Sequence, residues 1–199
     1  FTQREKKYNI VYKQPEDEIA AINMAIGASY GGVRAMTASS GGGFALMNEG
    51  FSLAGMTETP LVVIYGQRPG PATGLPTWTS QGDLKYALSA GHGEFLRFVF
   101  APGDLEECFW MVKLAFNLAD FYQTPSIVIV DKYLCESYFS AEKEVWEKPQ
   151  NLPEIVWQKA KNINRGKIAE AADASFQRYK FTEDGISPRG VPGNNAAFT

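Results

Sequence analysis

The sequence is poor in the residues that most often carry catalysis or bind metals. It contains one histidine and two cysteines in 199 residues, and a zinc or iron–sulfur site needs about four such ligands. Cys108 and Cys135 are far apart in the chain, which predicts two reduced thiols. His92 stands between glycines, which predicts a turn with a hydrogen-bonded structural histidine. Because no Ser-His-Asp or Cys-His relay can be assembled, the sequence favours a cofactor that brings its own reactivity.

Strong charge and long hydrophobic runs are also missing. The net charge of −3 predicts no strong attraction to nucleic acid or to an anionic membrane. No apolar run reaches about 18 residues, the length needed to span a bilayer. The N-terminal stretch FTQREKKYNI lacks the apolar centre of a signal peptide, so a cytoplasmic location is the expectation.

Short β-rich segments alternate with amphipathic helical segments. Two of the β-rich segments, LVVIY and SIVIV, are apolar on both faces, as in the central strands of a helix-covered parallel sheet. The alternation predicts an α/β fold with a doubly wound, mostly parallel sheet. Strands are predicted at 9–13, 34–38, 60–66, 97–101 and 125–131, and helices at 16–32, 44–58 and 104–122.

The character of the chain changes after residue 140. Residues 141–199 are charged, broken by prolines, and contain turn signals without sustained periodicity. We therefore predict an α/β domain over residues 1–140 and an extended arm or linker to a following domain over residues 141–199. Both termini are abrupt, so we expect the α/β domain to be incomplete at both ends.

Three loops follow predicted strands, and ligands of open α/β sheets bind beyond the carboxyl ends of strands. In QPEDE, capping of a helix start explains Glu16 and Asp17. Glu18 differs, because it precedes a helix of small residues that allows close packing, for example by a neighbouring subunit. In TASSGGGF, Ser39 and Ser40 precede three glycines and a helix, which is as compatible with a tight turn as with a binding loop.

The third loop, GQRPGPATGLPTWTSQGDL, is long and has no periodicity, which is typical of functional or disordered loops. Its prolines argue against disorder. Arg68 can hold a carboxylate through two parallel hydrogen bonds, although a surface arginine is an equally good explanation. Thr73 and Thr77 offer hydroxyl groups. The agreement of the three loops, more than any one of them, predicts a binding site.

Several of these motifs resemble a known family. The first part of the chain is similar to the pyrimidine-binding domain of thiamine-diphosphate enzymes. Later motifs resemble the alpha subunit of 2-oxoacid:ferredoxin oxidoreductases of the 2-oxoglutarate type, and the similarity covers nearly the whole chain. The motifs are EDEIAAINMAIGASYGGVRAMTASSGGGFALMNEG, RPGPATGLPTWTSQGDL, AGHGEF, YQTPSIVIVDKYLCESY and YKFTEDGISPRGVPG.

The resemblance implies oxidative decarboxylation of a 2-oxoacid to its acyl-CoA, with electron transfer to ferredoxin. Glu18 corresponds to the glutamate that hydrogen-bonds N1′ of the cofactor's aminopyrimidine ring and so promotes loss of its C2 proton. Ser40 lies in the turn that contacts the same cofactor, and Arg68 and Thr73 correspond to residues that contact the 2-oxoacid. The diphosphate site, its Mg²⁺ and a [4Fe–4S] cluster are implied in a beta subunit, and no metal ligand is expected in this chain.

The chain also departs from the family pattern. Ala72 and Trp78 replace a serine and a basic residue, which can alter the substrate range. A substrate-holding Y-P-I-T-P segment is absent, and the resemblance implies that the first strand–helix unit of the domain is missing with it. Gly42 and Leu96 each replace a proline. Two alternatives stay open. One is a subunit that acts on pyruvate or a branched-chain 2-oxoacid, and the other is a non-catalytic α/β interaction module.

Overall fold

Four parallel strands form the centre of the fold in the computed structural model, which describes residues 2–150, 152–161, 166, 168 and 176–192. Their order across the sheet is β1-β2-β4-β3, and all three pairings are parallel. This arrangement confirms the α/β fold and the parallel sheet. The strands are β1 (Met36–Ser40), β2 (Leu61–Gly66), β3 (Phe98–Phe100) and β4 (Pro125–Val130).

Aspartate residues cap the N-termini of several helices. Asp17 Oδ1 accepts a hydrogen bond from the backbone N–H of Ala20 at 2.7 Å, so the capping role expected for Asp17 is confirmed. No helix in the described residues is long and apolar enough to cross a membrane. The helices are α1 (Glu5–Tyr8), α2 (Glu18–Tyr30), α3 (Gly41–Leu46), α4 (Asn48–Met56), α5 (Leu84–Ser89), α6 (Leu105–Tyr122), α7 (Lys132–Glu136) and α8 (Glu154–Lys161), with short 3-10 turns at Thr2–Arg4 and Lys143–Trp146.

Side chains of the central strands alternate between two cores on opposite faces of the sheet. Val63 and Tyr65 of β2 pack with residues of helices α2 to α5 in one core. Val62 of β2 and Val128 of β4 pack with α6 in the other. The connection from β1 to β2 therefore covers one face and the connection from β3 to β4 covers the opposite face, which confirms the doubly wound arrangement.

The strand predicted at residues 9–13 is wrong. Asn9 adopts a left-handed conformation with φ 51° and ends α1, and the following residues form no strand. The backbone N–H of Ile10 donates to the carbonyl oxygen of Glu5, and that of Tyr12 donates to Glu5 Oε1 at 2.6 Å. Because these donors bind Glu5 of α1, this short β-rich run does not join the sheet.

Helix α8 packs on α6, on the side of α6 away from the centre of the sheet. Trp110 and Leu114 of α6 form a small core with Ala160 of α8. Asn117 donates hydrogen bonds to the carbonyl oxygens of Lys159 and Ala160 at 2.8 and 3.1 Å. These carbonyl groups lie in the last turn of α8, where the helix itself provides no hydrogen-bond donor. The division of the chain into residues 1–140 and 141–199 stays a prediction.

Residues 176–192 return to the carboxyl end of α4. Arg178 donates hydrogen bonds to the carbonyl oxygens of Thr57 and Glu58 at 3.2 and 3.1 Å. The same guanidinium forms a salt bridge with Glu58 Oε2 at 2.8 Å and donates to Ser187 Oγ at 2.9 Å. One side chain therefore covers the end of α4 and holds this later segment against it.

Candidate functional site

The carboxyl end of β1 leads directly into three consecutive glycines. Ser40 is the last residue of β1, and Gly41, Gly42 and Gly43 form the first turn of α3. We call residues 41–43 the glycine turn. Since these residues carry no side chains, other parts of the chain can approach the turn closely.

Glu18, the first residue of α2, lies against the glycine turn. Its Oε1 accepts a hydrogen bond from Ser39 Oγ at 3.2 Å. A Cβ atom at Gly43 would overlap Ser39 Oγ and would lie only 2.5 Å from Glu18 Oε1. Within the described part of the chain, this is the one side-chain hydrogen bond that the Glu18 carboxylate accepts. Its second oxygen accepts no hydrogen bond from the described residues.

The long loop between β2 and α5 approaches the glycine turn as well. We call residues 67–83 the substrate loop, after the role predicted for it. A Cβ atom at Gly42 would lie 3.2 Å from Thr73 Oγ1, and one at Gly41 would lie 3.5 Å from Arg68 Cβ. The structure thus brings Glu18, Arg68 and Thr73 to the glycine turn, although Glu18 begins α2 and the other two residues lie in the substrate loop.

Asp83 holds the base of the substrate loop. Its Oδ2 accepts a hydrogen bond from the backbone N–H of Arg68 at 3.1 Å, and its own backbone N–H donates to Gln67 Oε1 at 3.2 Å. Burial first, and then the nearby Asp83 carboxylate, raise the pKa of Tyr65 well above its ordinary value. Tyr65 therefore keeps its hydroxyl proton at neutral pH.

The outer part of the substrate loop is exposed. Trp78 is 62% exposed, and Ala72 has a φ of 53°, in the left-handed region that favours glycine. Gln81 Nε2 donates a hydrogen bond to Asp131 Oδ2 at 2.8 Å, which joins the later part of the loop to the residue after β4. The loop is thus held at its base and at its later end, while its middle faces solvent.

The serine that contacts Glu18 is Ser39, whereas the sequence analysis chose Ser40 as the cofactor-binding serine. Ser40 occupies the N-cap position of α3 without a side-chain capping bond, and its contact with a cofactor stays a prediction. Successive residues of a strand point to opposite faces, so the orientation of β1 decides between the two serines. Sequence analysis also missed Asp83, for which the only signal was an aspartate directly before a helix.

Neither the histidine nor the cysteines form a nucleophile–base pair in the described residues. The turn expected at His92 is present, with Gly91 and Gly93 at φ 92° and 79°. His92 bonds to Ser52 Oγ through its backbone N–H and carbonyl groups, rather than through the imidazole expected from the sequence. Cys108 is a free thiol whose pKa burial raises to about 11, so it is protonated and a weak nucleophile at neutral pH.

A family described as pyruvate flavodoxin/ferredoxin oxidoreductase, thiamine diphosphate-binding, matches residues 1–187 of the chain. The chain belongs to this family. The resemblance found in the sequence is therefore confirmed, and thiamine diphosphate is the cofactor that the family description gives for this ferredoxin oxidoreductase domain.

Curated relatives and a solved structure agree with this assignment. The ferredoxin oxidoreductase domain is 52% identical over 198 residues to the alpha subunit of 2-oxoacid:ferredoxin oxidoreductase 1 from Sulfurisphaera tokodaii, covering 100% of this chain and 30% of that protein. It is 47% identical over 122 residues to the 2-oxoglutarate synthase subunit KorA of Methanothermobacter marburgensis, covering 61% of this chain and 32% of that protein. The chain therefore spans about a third of the length of these relatives.

The structural match is with the 2-oxoglutarate:ferredoxin oxidoreductase of Magnetococcus marinus, solved with 2-oxoglutarate, coenzyme A and succinyl-CoA bound. The TM-score is 0.81 at 37% sequence identity, over 98% of this chain and 32% of that chain. The ferredoxin oxidoreductase domain thus shares both sequence and fold with an enzyme of this family.

Proposed function

We propose that this domain belongs to the alpha subunit of a 2-oxoglutarate:ferredoxin oxidoreductase. The enzyme would convert 2-oxoglutarate and coenzyme A to succinyl-CoA and CO₂ and pass the electrons to ferredoxin. The observation that carries the proposal is the meeting of Glu18, Arg68 and Thr73 at the glycine turn. The names of the KorA relative and of the Magnetococcus marinus enzyme support 2-oxoglutarate as the substrate.

The residues around the glycine turn fit the aminopyrimidine end of thiamine diphosphate. The Glu18 carboxylate has one oxygen held by Ser39 and one available to accept a hydrogen bond from N1′ of the ring. The negative charge of Glu18 favours a proton on that ring nitrogen. When bound, thiamine diphosphate supplies the electron sink that decarboxylation requires. We assign Ser40 to the edge of the same ring.

Arg68 and Thr73 would bind the 2-oxoacid. A guanidinium and a carboxylate form two parallel, charge-assisted hydrogen bonds, which fix orientation as well as affinity. The Thr73 hydroxyl can donate to an oxygen of the oxoacid, and it lies next to the glycine turn. Glu18 and Thr73 approach neighbouring glycines, so the two ligands would lie side by side.

We propose that the diphosphate site with its Mg²⁺ and the [4Fe–4S] cluster lie in a beta subunit. The two cysteines of this chain cannot supply the thiolates of such a cluster, which needs about four. The beta subunit, ferredoxin, coenzyme A and the 2-oxoacid are accordingly the proposed partners.

The test is reduction of ferredoxin by the complete purified enzyme. We expect reduction that requires both 2-oxoglutarate and coenzyme A, with a higher kcat/KM for 2-oxoglutarate than for pyruvate or a branched-chain 2-oxoacid. A preference for one of the other oxoacids would support the alternative substrate class. No reduction with any 2-oxoacid would instead support a non-catalytic interaction module.

Replacing Gly43 with alanine should displace Glu18. The added Cβ atom would overlap Ser39 Oγ and crowd Glu18 Oε1, so the carboxylate must move away from the glycine turn. We expect the affinity of the complete enzyme for thiamine diphosphate, measured by calorimetry, to fall about tenfold, the loss of roughly one hydrogen bond to a charged group.

The matched control for this prediction is Gly41→Ala in the same turn. A Cβ atom there meets Arg68 Cβ at 3.5 Å, an ordinary contact distance. We expect this variant to keep the cofactor affinity within about twofold, as a substitution without a steric conflict should. An equal loss of affinity in both variants would contradict the specific link between Gly43 and Glu18.

A further inference from the structure

We propose that Asp83 is a positioning residue that fixes Arg68 for substrate binding. The inference rests on the proposed function and adds a residue to the same site. Asp83 need not touch the substrate, because it acts through the backbone of Arg68. Three features of the structure carry the proposal: an unused helix cap, a pair of opposed hydrogen bonds, and an anchor in the core.

The unused cap distinguishes Asp83 from the other aspartates that precede helices. Asp17, Asp104 and Asp131 each accept a hydrogen bond from the backbone at the start of the helix that follows them. Asp83 stands in the same position before α5 but makes no side-chain capping bond. Its carboxylate instead turns back and accepts the N–H of Arg68 at 3.1 Å. The helix therefore loses a cap that aspartate usually provides, and the substrate loop gains an anchor.

The opposed hydrogen bonds close the loop at its base. The Arg68 N–H donates to the Asp83 side chain, while the Asp83 N–H donates to Oε1 of Gln67 at 3.2 Å. Gln67 is only 8% exposed, so the bond from Asp83 ends on a side chain that the fold already holds. Gln67 and Asp83, the first and last residues of the largely exposed substrate loop, are thereby kept in contact.

The anchor in the core is Tyr65. Its ring is 1% exposed and stacks on Phe44 with centroids 4.4 Å apart, and Phe44 directly follows the glycine turn. The Asp83 carboxylate lies near the Tyr65 hydroxyl, and burial, together with this carboxylate, raises the pKa of Tyr65. The buried Tyr65 ring therefore lies between the residue after the glycine turn and Asp83, whose carboxylate accepts the Arg68 N–H.

These contacts determine where the Arg68 side chain begins. Asp83 Oδ2 and Arg68 Cβ lie 3.9 and 3.5 Å from a Cβ position at Gly41, so the base of the loop is fixed against the turn that Glu18 also contacts. A preorganised arginine binds its carboxylate without first paying the entropy of ordering the loop. Loss of Asp83 should therefore weaken substrate binding more than it lowers the rate at which bound substrate reacts.

The experiment compares three variants of the complete enzyme: Asp83→Ala, Asp83→Asn and, as the matched helix-cap control, Asp104→Ala. We expect Asp83→Ala to raise the KM for 2-oxoglutarate about tenfold, as loss of a hydrogen bond to a charged group would. The kcat and the thiamine diphosphate affinity should stay within about twofold. Asp83→Asn keeps an acceptor oxygen and should restore most of the KM. Asp104→Ala removes a cap without touching the loop and should leave the KM unchanged.

Hydrogen–deuterium exchange provides a second measurement that does not need activity. In Asp83→Ala, the peptide covering residues 66–84 should show about tenfold faster exchange of the Arg68 amide, because its acceptor is gone. An unchanged KM, an equal KM increase in Asp104→Ala, or unchanged amide exchange would overturn the inference. If the wild-type enzyme does not use 2-oxoglutarate, the proposed function fails, and the exchange measurement still decides whether Asp83 holds Arg68.

Discussion

Glu18→Ala should lower the turnover of the complete enzyme by about 100- to 10,000-fold, the usual contribution of a positioned acid–base group. The Glu18 carboxylate lies beside Gly43 of the glycine turn, and Ser39 holds one of its oxygens. Without the carboxylate, nothing on α2 would favour a proton on the ring nitrogen of the cofactor. The variant should still fold, because residue 18 is only partly buried.

The measurement that isolates this role is exchange of the C2 proton of thiamine diphosphate, followed by NMR. We expect slow exchange in Glu18→Ala and wild-type exchange in Glu16→Ala, the matched control. Glu16 is exposed and precedes the helix cap, so its removal takes away a neighbouring charge without changing the site. Wild-type exchange in Glu18→Ala would contradict the assignment of Glu18 to the cofactor.

Arg68→Lys should reduce kcat/KM for 2-oxoglutarate by about 10- to 100-fold. Lysine keeps the charge but loses the planar, two-pronged geometry, and hydrogen bonds to charged groups contribute about 1.5–3 kcal/mol. The loss should be much smaller for pyruvate, which lacks the second carboxylate. This difference would follow if Arg68 binds the distal carboxylate of the dicarboxylate substrate.

Steady-state kinetics with both oxoacids provide the measurement, and Arg4→Lys provides the matched control. Arg4 is exposed, and it lies in the first 3-10 turn of the chain, so the same change there should leave both kcat/KM values unaltered. Equal losses for pyruvate and 2-oxoglutarate in Arg68→Lys would contradict the distal assignment. No loss with either substrate would contradict any contact between Arg68 and a carboxylate.

Sequence patterns predicted the strands of the sheet well where a strand is buried on both of its faces. The runs LVVIY and SIVIV became β2 and β4, the adjacent central strands of the sheet, because a strand covered on both faces has little polar character. The run at residues 9–13 failed for a different reason. Its three consecutive apolar residues have the composition of a strand. The backbone N–H groups of Ile10 and Tyr12 instead donate to Glu5, and residue composition does not show that competition.

The site was predictable only in part. Loop positions after the strands and the family resemblance pointed to Glu18, Arg68 and Thr73, which meet at the glycine turn. The structure places Ser39 against Glu18, which the composition of a five-residue strand does not reveal, and the contact of Ser40 with the cofactor stays a prediction. Contacts of Asp83 with residues 15 and 16 positions earlier in the chain depend on the path of the whole loop.

The bonds from Arg178 to the end of α4 have a consequence for the order in which the chain folds. Arg178 lies 121 residues after Thr57, whose carbonyl oxygen it binds. At about 5–20 residues per second of synthesis, the end of α4 would wait roughly 6 to 24 seconds for its partner. All four strands are synthesised by residue 130, so the sheet can form first, with the carbonyl groups at the end of α4 still hydrated. Residues 176–192 can therefore dock on the end of α4 only after all four strands have been synthesised.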